Sequence, residues 1–100
     1  MIRTIIKLKV ASGREREFED TFRTRGVLVL ARDVAKLRTG ELLRPLTAGD
    51  PYVVIATWDS PEDYAVWVNS PLRGQVNTAA PISDPVAPAD LYEIVERYPV

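Results

Sequence analysis

The chain has 100 residues, of which 46% are hydrophobic and 27% charged, and a formal net charge of −1. Those figures suit one soluble domain over residues 1–100 with a single core, and they provide no net positive field for nucleic acid or anionic lipid. The lack of cysteine and histidine excludes disulfides, thiol nucleophiles, Cys/His zinc sites and histidine-ligated haem, so proton transfer falls to carboxylates, tyrosine, lysine, arginine, held water or the substrate.

Ile2, Thr4, Ile6, Leu8 and Val10 alternate with Arg3, Ile5, Lys7 and Lys9, the period of a strand with one apolar face. The opening residues are too short a run and too regularly charged for a signal peptide or a membrane span, so the expected location is cytoplasmic. Ser12 stands three residues before Glu15, the spacing of a capping box, and predicts a helix to about Arg25. On that helix Phe18 and Phe22 share the buried stripe, while Arg16–Asp20 and Glu19–Arg23 are spaced to pair on the wet side.

After Gly26, "VLVLARDVA" (27–35) fits either a strand or a short helix, and its Ala31, Arg32 and Asp33 favour the helix. "KLRTGELLRPL" (36–46) reads as a second strand, with Gly40 marking a bulge or bend. "TAGDP" (47–51) is a turn. "YVVIATW" (52–58) is apolar at nearly every position, the mark of a strand covered on both faces. One layer of helices covers one face only. The remaining chain cannot build a second sheet, so a second copy is the economical cover and a homodimer is expected.

Ser60, Pro61, Glu62 and Asp63 predict a helix start: an N-cap, proline at the first position and acids in the first turn. That helix places Tyr64, Trp67 and Val68 on one face and ends near Asn69–Pro71. A proline-rich loop with at most one helical turn around 73–78 follows, and "DLYEIVERY" (90–98) closes the chain as a last strand. The order of strand, helix, strand, strand, helix, strand is the ferredoxin-like split arrangement, an α+β fold with an antiparallel sheet.

"YVVIATWDSPEDYAVWVNSP" (52–71), together with the opening strand and "GREREFEDTF" (13–22), resembles the antibiotic biosynthesis monooxygenase family. The likeness is carried mainly by Trp58–Asp59–Ser60 and by Tyr64, Trp67 and Ser70. It implies a homodimeric α+β barrel with the substrate between the helices and the sheet of one subunit. Members include haem degraders, quinone-forming monooxygenases of aromatic polyketide pathways and enzymes acting on quinols. The haem degraders are set aside here because no histidine is present to ligate iron. The quinone-forming enzymes use no metal or flavin, so no cofactor is expected. By that resemblance the helix tryptophan is Trp67, the asparagine one turn before it is replaced by Asp63, and the tyrosine or histidine beyond the helix is missing near Leu72–Arg73. Asn69, Gln75 and Asn77 could supply a substitute amide.

The expected chemistry is oxidation of an aromatic polyketide or related polycyclic phenol to a quinone. Trp67 would stack on the rings, Asp63 or a tyrosine would take the phenolic proton, and Arg38 or Arg44 would steady the anion. Tyr52, Trp58, Tyr64, Asn69, Arg44 and Arg73 would line the substrate site. Each has a simpler structural use. Trp58 and Trp67 can be core aromatics, Asp63 can complement the helix dipole, the tyrosines can pack with wet tips, and the arginines can lie at a rim or pair with an acid such as Glu93. Two other functions fit the same residues: a polyketide cyclase or rearrangement catalyst, and a non-catalytic dimer that shields an intermediate.

Overall fold

The computed structural model describes residues 1–73, 83–86 and 88–99. Its elements, in chain order, are β1 (Ile2–Val10), α1 (Glu15–Arg25), α2 (Val27–Ala35), β2 (Thr39–Leu43), β3 (Tyr52–Trp58), α3 (Pro61–Val68), β4 (Ser83–Pro85) and β5 (Asp90–Glu93). The sheet runs β2–β3–β1–β4, and β5 pairs β1 as well. All pairings are antiparallel. β4 covers the Leu8–Val10 end of β1 and β5 the Ile2–Ile5 end, so two short strands share the place of one final strand. This is the ferredoxin-like α+β fold.

The register explains the packing. Ile2 pairs Trp58, Thr4 pairs Ala56, Ile6 pairs Val54 and Leu8 pairs Tyr52, so the even-numbered residues of both strands share one face. That face carries both core clusters. Ile2, Ala56 and Trp58 pack with Ala31, Ala35, Leu37, Tyr64 and Trp67, while Tyr52, Leu8, Val10 and Leu42 pack with Phe18 and Phe22. The opposite face carries Arg3, Ile5 and Lys7 of β1, Val53, Ile55 and Thr57 of β3, and Thr39, Glu41 and Leu43 of β2. No member of either cluster lies there among the described residues.

Several local features depart from expectation. Ser12 does not cap α1: the N-cap is Arg14, whose side chain makes no capping bond and pairs with Glu17, and Glu15 Oε1 instead accepts from the Gly13 N–H at 3.0 Å. Arg23, which bonds Asp20 at 3.3 Å and approaches Glu19 at 3.6 Å, takes the acid expected for Arg16. Gly40 marks no bulge, because it pairs Ala56 in an unbroken ladder. A Cβ there would lie 2.9 Å from Leu28 Cδ2 and 3.3 Å from Leu37 Cδ2, so its hydrogen side chain lets α2 settle on the sheet. The last strand stops at Glu93, and β4 lies in what reads as loop. The expected turn around 73–78 falls largely outside the described residues, as do Gln75 and Asn77.

Candidate functional site

The α3 helix is built as its residues require. Ser60 Oγ accepts from the Asp63 N–H at 3.2 Å, Pro61 opens the helix, and Glu62 and Asp63 lie in its first turn, where acids offset the positive helix end. Tyr64 and Trp67, three residues apart, therefore turn the same way, and both are buried. They meet Trp58, whose ring stands edge-on to Tyr64 with centroids 5.4 Å apart. Both tryptophans thus belong to one aromatic cluster, but in different roles.

Trp58 is 2% exposed, and its indole N–H donates to Thr4 Oγ1 at 3.0 Å. It fills the core with its one polar atom satisfied. The Trp67 N–H and the Tyr64 O–H bond to no other described residue. Two ring bodies are packed inward, and their two polar tips have no hydrogen-bond partner among the described residues. Burial pushes the Tyr64 phenol up, and the Arg73 guanidinium pulls it partly back, so the hydroxyl stays protonated and able to donate at neutral pH.

Beside this cluster lies an ion pair at the lip where β2, β3 and α3 meet. Arg38 Nε and Nη2 donate to the two Asp59 oxygens at 2.9 and 2.7 Å, and the Arg38 N–H bonds the Thr57 carbonyl at 2.9 Å. The Arg38 bond holds the Asp59 carboxyl below the usual carboxylate range, helped by Lys36 and the chain N-terminus. Asp59 is the main cause of the raised Arg38 pKa, and the Asp63 charge adds to it. Asp63 is half-buried at this lip. Asn69 closes α3, its N–H bonding the Ala65 carbonyl at 3.0 Å, and its side chain is exposed.

Tyr52 and Arg44 do not join this group. Tyr52 begins β3 and Trp58 ends it, about 20 Å away at strand rise. At that far end Arg44 Nε and Nη2 donate to the Glu19 oxygens at 2.7 and 2.6 Å, and the Tyr52 O–H donates to Glu19 Oε2 at 2.5 Å. The Arg44 and Tyr52 bonds hold the Glu19 carboxyl at about 2 despite its burial. Desolvation and the adjacent carboxylate push the Tyr52 phenol up. Glu19 is the residue that sequence reasoning placed on the wet side of α1. Strand parity contained the missing signal: the Leu42–Val54 register, continued by two residues, sets Arg44 opposite Tyr52 on the helix-facing side.

Among the described residues, no group of three or more Asp or Glu side chains is placed to hold a metal ion, and no helix is long and apolar enough to cross a membrane.

The molecule is therefore a ferredoxin-like α+β domain with an aromatic helix face beside a carboxylate–guanidinium lip. The family model for antibiotic biosynthesis monooxygenase matches residues 1–78, and the chain belongs to that family. Solved structures agree on the fold. SnoaB of Streptomyces nogalater, a cofactor-independent oxygenase crystallised as a variant, aligns with TM-score 0.80 at 19% identity, covering 99% of this chain and 97% of its own. The haem degrader MhuD of Mycobacterium tuberculosis, with two haems in its active site, aligns with TM-score 0.78 at 24% identity over 97% and 98%. A protein from Deinococcus radiodurans, described as a putative antibiotic biosynthesis monooxygenase, aligns with TM-score 0.77 at 13% identity over 100% and 98%. A comparison with the curated proteins returns no match.

Proposed function

We propose that the protein is a cofactor-independent monooxygenase that oxidises an aromatic polyketide or related polycyclic phenol to a quinone, acting at the inward face of α3. The observation that carries this reading is the pair of packed aromatics, Tyr64 and Trp67, whose O–H and N–H have no partner among the described residues, beside the half-buried Asp63 and the Arg38–Asp59 lip. Family membership and the likeness to a cofactor-independent oxygenase support it.

In this mechanism the substrate rings lie against the exposed edge of the Trp67 ring, whose body is packed in the core, and the substrate phenol loses a proton to Asp63. The Tyr64 hydroxyl, with Arg73 alongside, donates to the resulting oxyanion, and Arg38 adds positive charge at the lip. The electron-rich enolate passes one electron to dioxygen. The carbon radical and superoxide combine to a peroxide, which loses water to leave a carbonyl. The ring methylene loses two hydrogens and gains one oxygen, and the other oxygen leaves as water. Asn69 rims the site.

An anthrone incubated in air with metal-free protein tests this by mass spectrometry, with no-protein and anaerobic controls. The expected product carries one more oxygen and two fewer hydrogens, appears faster than in the control and requires air. Asp63→Asn should lower the rate about 10²-fold or more while Trp67 fluorescence quenching by substrate persists. Asp63 in place of an amide also suits a polyketide cyclase, and quenching without turnover suits a shielding binder. Quenching without oxygen gain would displace the oxygenase reading in favour of one of these.

The assembly proposed for this activity is a homodimer joined through the sheet face that bears no core cluster. Ile5, Val53 and Ile55 are half-buried on that face and Leu43 is exposed. Arg3 Nε and Thr57 Oγ1, side by side in the β1–β3 register, are enclosed there without a hydrogen-bond partner. A facing copy would cover the apolar row beside them. Sedimentation equilibrium should give a mass near 22 kDa, twice the chain's 11.2 kDa. A monomer at micromolar concentration would end this part of the proposal.

A further inference from the structure

The middle of the sheet is covered less well than its two ends. On β3, Tyr52, Ala56 and Trp58 face the helices and are buried, but Val54 between them is only half-buried. On β1, Ile2 and Thr4 are buried, while Ile6, which pairs Val54, is half-buried. Among the described residues, neither Ile6 nor Val54 joins a core cluster. Both stand on inner strands, where a filled core buries side chains first. Val54 instead falls in the same half-buried class as Val53 and Ile55, its neighbours on the opposite face.

The gap follows from how the helices attach. α2 and α3 pack over the Trp58 end of the sheet and α1 over the Tyr52 end. The rows to either side, Thr4–Ala56 and Leu8–Tyr52, stand about 14 Å apart at strand rise. The Ile6–Val54 row lies between them, and the half-buried Leu42 extends it onto β2.

This floor carries no charge. Of the described sheet positions that face the helices, only Arg44 and Glu93 are charged, and they stand at opposite ends. Arg44 is tied to Glu19 at one end, and Arg38 is tied to Asp59 at the other. A ligand with a charge in its middle would lose hydration here and gain no partner. An apolar ring body would gain by covering the two aliphatic side chains.

We infer that Ile6 and Val54 are specificity-determining residues of the substrate site. They form an uncharged floor that accepts an apolar ring body and rejects a ligand charged anywhere but at its end. The ionisable group of the substrate then points along the sheet toward α3. This inference rests on the reading of the inward face of α3 as the active site.

The test is a methyl NMR titration of the full chain with anthrone under nitrogen, where binding proceeds without turnover. The expected result is saturable shifts at the Ile6, Val54 and Leu42 methyls, with Ile5, Val53 and Ile55 of the opposite face unmoved. Val54→Phe should weaken anthrone binding about tenfold without lowering the thermal midpoint, because the ring enters unfilled space; in a packed core the same change destabilises. Val29→Phe, on the exposed side of α2, should leave binding unchanged. No saturable shift at Ile6 and Val54, equal shifts on both faces, full binding by Val54→Phe or a fall in its midpoint would each overturn the inference. Admitting air to the same samples reads turnover separately. Shifts without oxygen gain keep the floor and end the oxygenase reading, and oxygen gain without these shifts does the opposite.

Discussion

The two ends of the sheet are held to their helices by different forces. At the Trp58 end, Ile2, Ala31, Ala35, Leu37, Ala56, Tyr64 and Trp67 pack as an apolar cluster, and the Trp58–Thr4 bond satisfies the one indole N–H sealed within it. At the Tyr52 end the apolar part is small, centred on Phe18 against Tyr52 with ring centroids 5.1 Å apart. A buried carboxylate bound to a guanidinium and a phenol completes it. The first end depends on area and shape, so pH and salt should affect it little. The second depends on one charge, so acid should release α1 while α2 and α3 stay docked. Local stability of this kind is not uniform across a fold.

The largest effect expected is at the apolar end. Trp58→Ala removes the largest fully buried side chain, leaves a cavity and strands Thr4 Oγ1, and should destabilise by about 3–5 kcal/mol in a urea titration. A loss under 1 kcal/mol would mean that the cluster repacks freely and that the contrast between the ends is wrong.

Glu19→Gln comes next. It removes the negative charge and one of the two acceptor oxygens that Arg44 and Tyr52 share, and should lose about 2 kcal/mol at neutral pH. The pH dependence follows from the direction of the shift. Glu19 titrates at about 2 in the folded chain against 4.5 ordinarily, so the unfolded chain takes up the proton first as pH falls. Its contribution is complete above about pH 4.5 and is lost progressively as pH drops toward 2. In Glu19→Gln this part of the acid limb should flatten. In the wild type, hydrogen exchange at pH 3 should rise in α1 before α3. Simultaneous exchange of both helices would erase the distinction between the ends.

Smaller effects sharpen the apolar side. Gly40→Ala pushes a methyl group to 2.9 Å from Leu28 Cδ2 and should cost about 1–2 kcal/mol through overpacking between α2 and the sheet. Lys36 closes α2 with φ of 62°, a left-handed conformation that favours glycine. Lys36→Gly should therefore stabilise the chain by about 0.5–1 kcal/mol, read as a rise in thermal midpoint. A fall would show that the Lys36 charge near Asp59 outweighs the backbone relief.

Local rules made much of the fold legible. Alternation in residues 2–10 and the apolar run 52–58 define the two central strands. The Ser60–Pro61 start defines α3 because capping is decided by adjacent residues. The same rules misplace features that depend on what lies across space. Ser12 and Glu15 have capping-box spacing, yet Glu15 binds Gly13 and Ser12 caps nothing. Gly40 reads as a bulge because its true reason, the approach of Leu28, lies on another element. β4 escapes notice because three residues ending in proline carry no period of their own and pair only because β1 offers an unfilled edge.

The same division holds for the candidate site. By itself the sequence determined that Tyr64 and Trp67 share a helix face, that Asp63 stands at its start, and that no histidine or cysteine chemistry is available. Those are consequences of composition and of 3.6-residue spacing. Only the tertiary structure decided that the Trp58 N–H is satisfied within the core while the Trp67 N–H and the Tyr64 hydroxyl find no partner among the described residues. It also drew Arg38 to Asp59 over 21 positions and joined Arg44 and Tyr52 to Glu19 across 25 and 33. Such long-range pairings depend on strand register and on which face of α1 meets the sheet, and the packing of the whole chain sets both.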